Sequence, residues 1–137
     1  MIADCFLNTN ILLYGGSAAA EDAAKRRIAE QLISSERFAI STQVVQEYIA
    51  NALGKRDLGL GPRNVRGLLD SLDDLVVLPV TVPIIRKAWG LRSRHTLSYR
   101  DAAILAAAQE LGCRTLYSED LNHGQDYDGV RVINPFL

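Results

Sequence analysis

The stretch "SYRDAAILAAAQELGCRTLYSED", residues 98–120, holds one complete helix-to-strand unit. Ser98 is a helix cap by type, Asp101 falls in the first turn, and Gly112 stands where a helix stops. The run "RTLYS" that follows has the composition of a strand. It ends directly in two acids, Glu119 and Asp120.

The same alternation extends in both directions. Toward the N-terminus, "IADCFL" (2–7) reads as a fully buried strand because nearly every position is apolar. Thr9 to about Tyr14 reads as a short helix entered through a polar cap, Thr9 or Asn10. "AAEDAAKRRIAEQLISS" (19–35) is a helix whose Ala24, Ile28 and Leu32 recur at helical spacing. "RFAIS" (37–41) is the second strand, and "TQVVQEYIANALGK" (42–55) a helix with Val44, Ile49 and Leu53 facing inward. "GKRDLGLGPRN" (54–64) is the long loop. A helix "NVRGLLDSLDD" (64–74) and a third strand "LVVLPV" (75–80) come next, then "VPIIRKAWGLRSRH" (82–95), with Pro83 tolerated in its first turn. Beyond the opening stretch, "EDLNHGQ" is a short polar turn or helix and "VRVI" (130–133) the last strand.

This order predicts an α/β fold: a three-layer α/β/α sandwich on a central parallel sheet of about five strands, as one domain over residues 1–137. Length agrees, since 137 residues are about one domain. Composition is globular, at 48% hydrophobic and 23% charged. No apolar run is long enough for a membrane span, and no signal peptide is expected, which points to a soluble, cytoplasmic protein. A net charge of −1 excludes holding nucleic acid by total charge, so any such binding needs a local basic patch. Cys5 and Cys113 are too few for a disulfide scaffold and read as reduced interior thiols.

Ligands of parallel α/β sheets sit outside the carboxyl ends of the strands. Asn8 follows the first strand there, Glu47 lies early in the helix after the second, Asp101 opens the long helix, and Glu119 and Asp120 follow the fourth strand. If the first and fourth strands are neighbours, these residues converge. Like charges gathered so closely raise one another's pKa, a cost that a divalent cation removes. Oxygen donors without spaced His or Cys suit Mg²⁺ or Mn²⁺ better than Zn²⁺. Singly, each acid has an ordinary explanation: a helix dipole for Asp101, a solvated face for Glu47, a turn for Glu119-Asp120. It is the set that favours a metal site.

"FLNTNILLY", "STQVVQEYI", "LSYRDAAILAAAQELGCRTLYSEDLNHGQ" and "VRVINPF" together resemble a PIN-domain protein, specifically a VapC-type toxin of bacterial type II toxin–antitoxin modules. The resemblance covers almost the whole chain. It implies an α/β/α fold on a parallel sheet and a Mg²⁺- or Mn²⁺-dependent endoribonuclease activity, with tRNA a frequent substrate. Carried over by position, the family's four acids fall on Asn8, Glu47, Asp101 and Asp120, as metal ligands and catalytic groups. Thr9, Asn10 and Ser118 fall on its polar support positions, while Glu119 falls where the family varies. The departure is Asn8, an amide where the family has a carboxylate. It reads as an aspartate exchanged on purpose, leaving a chain of reduced or abolished activity. The resemblance also implies a small VapB-type antitoxin that occludes the site, and a homodimer.

For RNA, Arg92, Arg94 and Arg100 are the candidate backbone contacts, a solvated charged face being the alternative for each. Tyr14, Trp89 and Tyr99 could stack on bases, although their helical spacing suits core or interface. His123 reads as a structural hydrogen-bonding residue. Two further functions compete with the nuclease. One is a non-catalytic PIN-like module that binds RNA or an antitoxin, which Asn8 favours. The other is a phosphoacceptor receiver domain, which would want a lysine after its last strand; "VRVINPFL" offers none.

Overall fold

Asn8, Ser41 and Ser118 end three neighbouring strands, and all three are buried. The computed structural model that shows this describes residues 3–54 and 58–137. In chain order its strands are β1 (Cys5–Leu7), β2 (Phe38–Ser41), β3 (Val76–Leu78), β4 (Thr115–Tyr117), β5 (Asp126–Tyr127) and β6 (Val130–Ile133). Its helices are α1 (Thr9–Gly16), α2 (Ala23–Ser35), α3 (Thr42–Ala52), α4 (Pro62–Ser71), α5 (Val82–His95) and α6 (Tyr99–Glu110). The sheet order is β3-β2-β1-β4-β6-β5, parallel throughout except for the β5–β6 pair. Helices flank this sheet, the three-layer α/β architecture that the alternation predicts.

β1 lies between β2 and β4, with Phe6 opposite Ala39 and Leu7 opposite Tyr117. The Asn8 N–H continues the ladder by donating to the Tyr117 carbonyl at 3.1 Å. This register brings the ends of β1, β2 and β4 to one edge. Two of those ends are also helix caps. Asn8 accepts from the Thr9 N–H to start α1, and Ser41 accepts from the Val44 N–H to start α3.

α6 explains its own composition. Ala102 to Ala108 are all buried, because α6 packs on α5 and also lies over β2, β4 and β6. A helix apolar all round belongs in a core, and alanine lets neighbours approach it on every side. Ser98 caps it and Gly112 ends it at φ +71°, a left-handed conformation that glycine adopts without steric cost. Phe6, Leu7, Ile11, Ile40, Leu105, Leu116 and Val132 complete the centre of the core. Cys5 and Cys113 are buried and unbonded to each other, and burial pushes the Cys5 thiol up to about 12.

Several expectations need correction. The helix expected from residue 19 begins as a single 3-10 turn at Ala20–Asp22. Its buried position is Ala29, whereas Ala24 is exposed. The reason is its close packing on α1, where Gly15 leaves room for Ile33: a Cβ on Gly15 would lie 2.7 Å from the Ile33 Cδ1. Leu53 is exposed because α3 ends at Ala52 and leaves Leu53 as its C-cap, beyond the packed face. The cap of α1 is Asn8, not Thr9 or Asn10. The sheet has six strands, since β5 forms a two-residue antiparallel edge. The Asp128-Gly129 turn between β5 and β6, with φ +50° and +99°, is the signal that could have revealed it. Part of the expected loop at 54–64, residues 55–57, lies outside the described residues. Among the described residues no helix is long and apolar enough to cross a membrane.

Candidate active site

The polar side chains around the shared strand edge form a connected set. Asn8 is 2% exposed and both polar atoms of its amide are bonded: Oδ1 accepts from the Thr9 N–H at 2.7 Å, and Nδ2 donates to Ser118 Oγ at 2.9 Å. Ser118 Oγ also accepts from the Asp120 N–H at 3.1 Å, so one hydroxyl joins the ends of β1 and β4. Thr9 Oγ1 donates to Glu47 Oε1 at 2.7 Å. Asn10 Nδ2 donates to Asp120 Oδ2 at 2.9 Å, while its Oδ1 is buried without a partner. Thr9, Asn10 and Ser118 thus each bond a residue of the proposed acid set.

Glu47 is the most heavily bonded acid. Arg100 reaches it from α6 with Nε at 2.9 Å and Nη2 at 3.2 Å, and Gln43 adds a bond at 3.0 Å. Burial pushes the Glu47 carboxyl upward, but the Arg100, Thr9 and Gln43 donors outweigh it and hold the group below the usual range. Asp101 goes the other way. Burial is the main reason its carboxyl is raised; the charges of Asp120 and Glu47 add to this, and Ser98 and Arg100 oppose it. Asp101 therefore feels the charges of both other acids, from α3 and from the end of β4.

Glu119 stands apart from this set. Its carboxylate bonds Lys25 at 2.9 Å and accepts from the Tyr14 hydroxyl, while Lys25 also lies over the Tyr14 and Phe136 rings. Of the arginines proposed for RNA, Arg100 bonds an acid of the centre. Arg94 pairs with Asp128 at 2.7 Å, and Arg92 lies over the Trp89 ring. Tyr14 packs edge-on against Phe136, whereas Trp89 and Tyr99 are exposed rather than core. His123 Nδ1 accepts from the Asn134 N–H at 3.0 Å, a structural bond.

The sequence reading missed Gln43, which its spacing of four from Glu47 on one helix could have revealed. It also missed Lys25, for which no local signal exists because its partner is 94 residues away.

Two cavities meet at the centre. A groove of about 490 Å³ is lined by Gln43, Glu47, Ile85, Tyr99 and Arg100 among others. A smaller cleft of about 220 Å³ is lined by Asn10, Tyr14, Arg100, Glu119 and Asp120 among others. The donor chemistry of Glu47, Asp101 and Asp120, with the unpartnered Asn10 Oδ1 beside them, fits a hard divalent cation. As the side chains stand, however, no group of three or more His, Cys, Asp or Glu among the described residues is gathered to hold a metal ion. Glu47 is turned to Arg100 instead.

A family model, PIN domain, matches residues 5–125. No curated protein matches the chain in sequence at a significant level. Solved structures share the fold. A toxin–antitoxin complex from Klebsiella pneumoniae aligns at TM-score 0.67 and 22% identity, over 96% of this chain and 97% of that one. VapC20 of Mycobacterium tuberculosis, a sarcin-ricin-loop-cleaving toxin, aligns at 0.67 and 22%, over 85% and 89%. VapBC2 from Rickettsia felis, bound to a DNA fragment from its promoter, aligns at 0.64 and 19%, over 96% and 97%.

Proposed function

This chain belongs to the PIN-domain family, and on that premise we propose that it is a VapC-type toxin, a metal-dependent endoribonuclease impaired at Asn8. Its substrate is RNA, with tRNA the class to test first. Its partners are a VapB-type antitoxin and a second copy of the chain, and its compartment is the cytoplasm. The observation that carries the reading is the linked polar set at the ends of β1 and β4, where Ser118 joins Asn8 to Asp120 while Thr9 bonds Glu47 and Asn10 bonds Asp120. Support comes also from the structural relatives, several of which are toxin–antitoxin complexes.

Glu47, Asp101 and Asp120 would hold Mg²⁺ or Mn²⁺, with an aspartate at position 8 completing the set. When bound, the cation supplies water activation and charge neutralisation at the phosphoryl group. The chain's own residues do the rest. Thr9 and Asn10 fix the Glu47 and Asp120 rotamers. One of the three carboxylates would orient or deprotonate the attacking water. Arg100 lines both cavities of this centre, and Arg92 and Arg94 are the further candidates for RNA phosphates, Arg94 on release from its pair with Asp128.

The test is cleavage of a total tRNA pool with Mg²⁺ or Mn²⁺, comparing this chain, Asn8→Asp, and Asn8→Asp combined with Asp101→Ala. Cleavage by Asn8→Asp alone is expected. If Asn8→Asp is as inert as the double variant, the nuclease reading fails.

A non-catalytic binding module is the second reading, and one observation favours it: the Asn8 amide is buried with both its polar atoms bonded. Calorimetric titration separates the two. Absence of divalent binding by both this chain and Asn8→Asp would support the inactive module.

A further inference from the structure

Glu47 offers no free oxygen. Oε1 accepts from Thr9 and from Arg100 Nη2, and Oε2 accepts from Arg100 Nε and Gln43. The Gln43 amide also donates to the Arg100 backbone carbonyl at 3.1 Å, so it ties both partners of the ion pair. Three of these four donors come from outside α3 and the fourth, Gln43, from its first turn, and they close the carboxylate from several sides.

Arg100 also has a particular position. It lines both the groove that contains Glu47 and the cleft that contains Asp120. Its side chain is 55% exposed, so little packing holds it in place beyond the pair itself. A two-pronged guanidinium and a hard cation want the same carboxylate oxygens. Glu47 itself is 19% exposed, so water screens the pair mainly on the Arg100 side, and it is from that side that a cation can take the guanidinium's place.

We propose that Arg100 is an internal latch on the acid centre. While paired, it occupies Glu47 and separates groove from cleft. When Glu47 exchanges the guanidinium for a divalent cation, Arg100 swings free. The two cavities then join into one channel from Tyr99 to Asp120, with the guanidinium facing the phosphates of bound RNA. Arg100 is thus a positioning residue that reports whether the centre is loaded. This rests on the nuclease reading, but concerns the loading step before any bond is cut.

The experiment is Mn²⁺ titration calorimetry on the full chain in the Asn8→Asp background, with Arg100 intact, Arg100→Gln or Arg100→Lys. Removing the competitor should tighten Mn²⁺ binding about two- to fivefold in Arg100→Gln, the worth of one solvent-screened pair. Arg100→Lys, which keeps the charge without the fork, should fall between. In the Arg100-intact protein, saturating Mg²⁺ should move the Arg100 Nε–H resonance toward that of a free guanidinium. Equal or weaker Mn²⁺ binding by Arg100→Gln, no Mn²⁺ binding by any variant, or an unmoved resonance would each overturn the latch. If Asn8→Asp cuts RNA while Arg100→Gln leaves Mn²⁺ affinity unchanged, the latch falls and the nuclease stands. If affinity tightens but no variant cuts RNA, the latch stands and the nuclease falls.

Discussion

At residue 8 an amide does two jobs that a carboxylate would divide differently. Its Oδ1 caps α1 through the Thr9 N–H, and a carboxylate oxygen would do that as well. Its Nδ2 donates to Ser118, and a carboxylate has nothing to donate. The Ser118 hydroxyl would have to rotate and become the donor, which a hydroxyl does readily. What changes is charge: a fourth carboxylate would join Glu47, Asp101 and Asp120 in a half-buried site. Asn8→Asp is therefore expected to lower stability in chelator by on the order of 1 kcal/mol, about one pKa unit of mutual repulsion. Mg²⁺ should restore it. Urea unfolding with chelator and with Mg²⁺ checks this, and a variant no less stable in chelator refutes it. The sequence exposed the departure at position 8 through family resemblance, but not the bonds that make an amide comfortable there. Those depend on Ser118, which lies 110 residues away.

At the scale of elements, the β5–β6 hairpin is held to the helices through Asp128. Its carboxylate accepts from Arg94 at 2.7 and 3.1 Å and pairs with His95 at 3.1 Å; its carbonyl accepts from Gln109 at 2.8 Å. Arg94 foremost, with His95, holds the Asp128 carboxyl below the usual range, since burial opposes it only weakly. A depressed carboxylate contributes stability that is present above its unfolded pKa and lost as pH falls through its lowered folded value. Asp128→Asn should therefore lower stability at neutral pH and flatten the loss on the acid side. Denaturation midpoints measured from pH 7 down to about pH 2.5 test it, that window spanning the unfolded Asp value; parallel curves for the two proteins would refute it. This hairpin was only half legible. "VRVI" reads as a strand by its β-branched residues, and Asp128-Gly129 could have marked the turn before it, but a two-residue β5 carries too little pattern of its own to read. By contrast α5 and α6 were legible almost to the residue, because Pro83, Ser98 and Gly112 punctuate the chain locally.

Across the whole molecule, α6 joins the two requirements of the fold. Its first turn presents Arg100 and Asp101 to the site, and Ala102 to Ala108 are core. Leu105→Ala, at a position with no exposure, is expected to cost about 3 kcal/mol through lost burial and the cavity left behind. Urea unfolding gives that number directly, and a loss under 1 kcal/mol would mean the site collapses around the gap. The amino-acid sequence alone determined the alternation of strands and helices, the caps and stops of the long helices, and the presence of acids at successive strand ends. These are local properties, written in periodicity and in single residues with special backbone preferences. Only the tertiary structure decided which of those residues touch. The β2-β1-β4 neighbourhood aligns three polar strand ends, Arg100 closes on Glu47 across 53 residues, and Glu119 turns away to Lys25. Such contacts are set by strand order and packing, and no short window of sequence contains both partners.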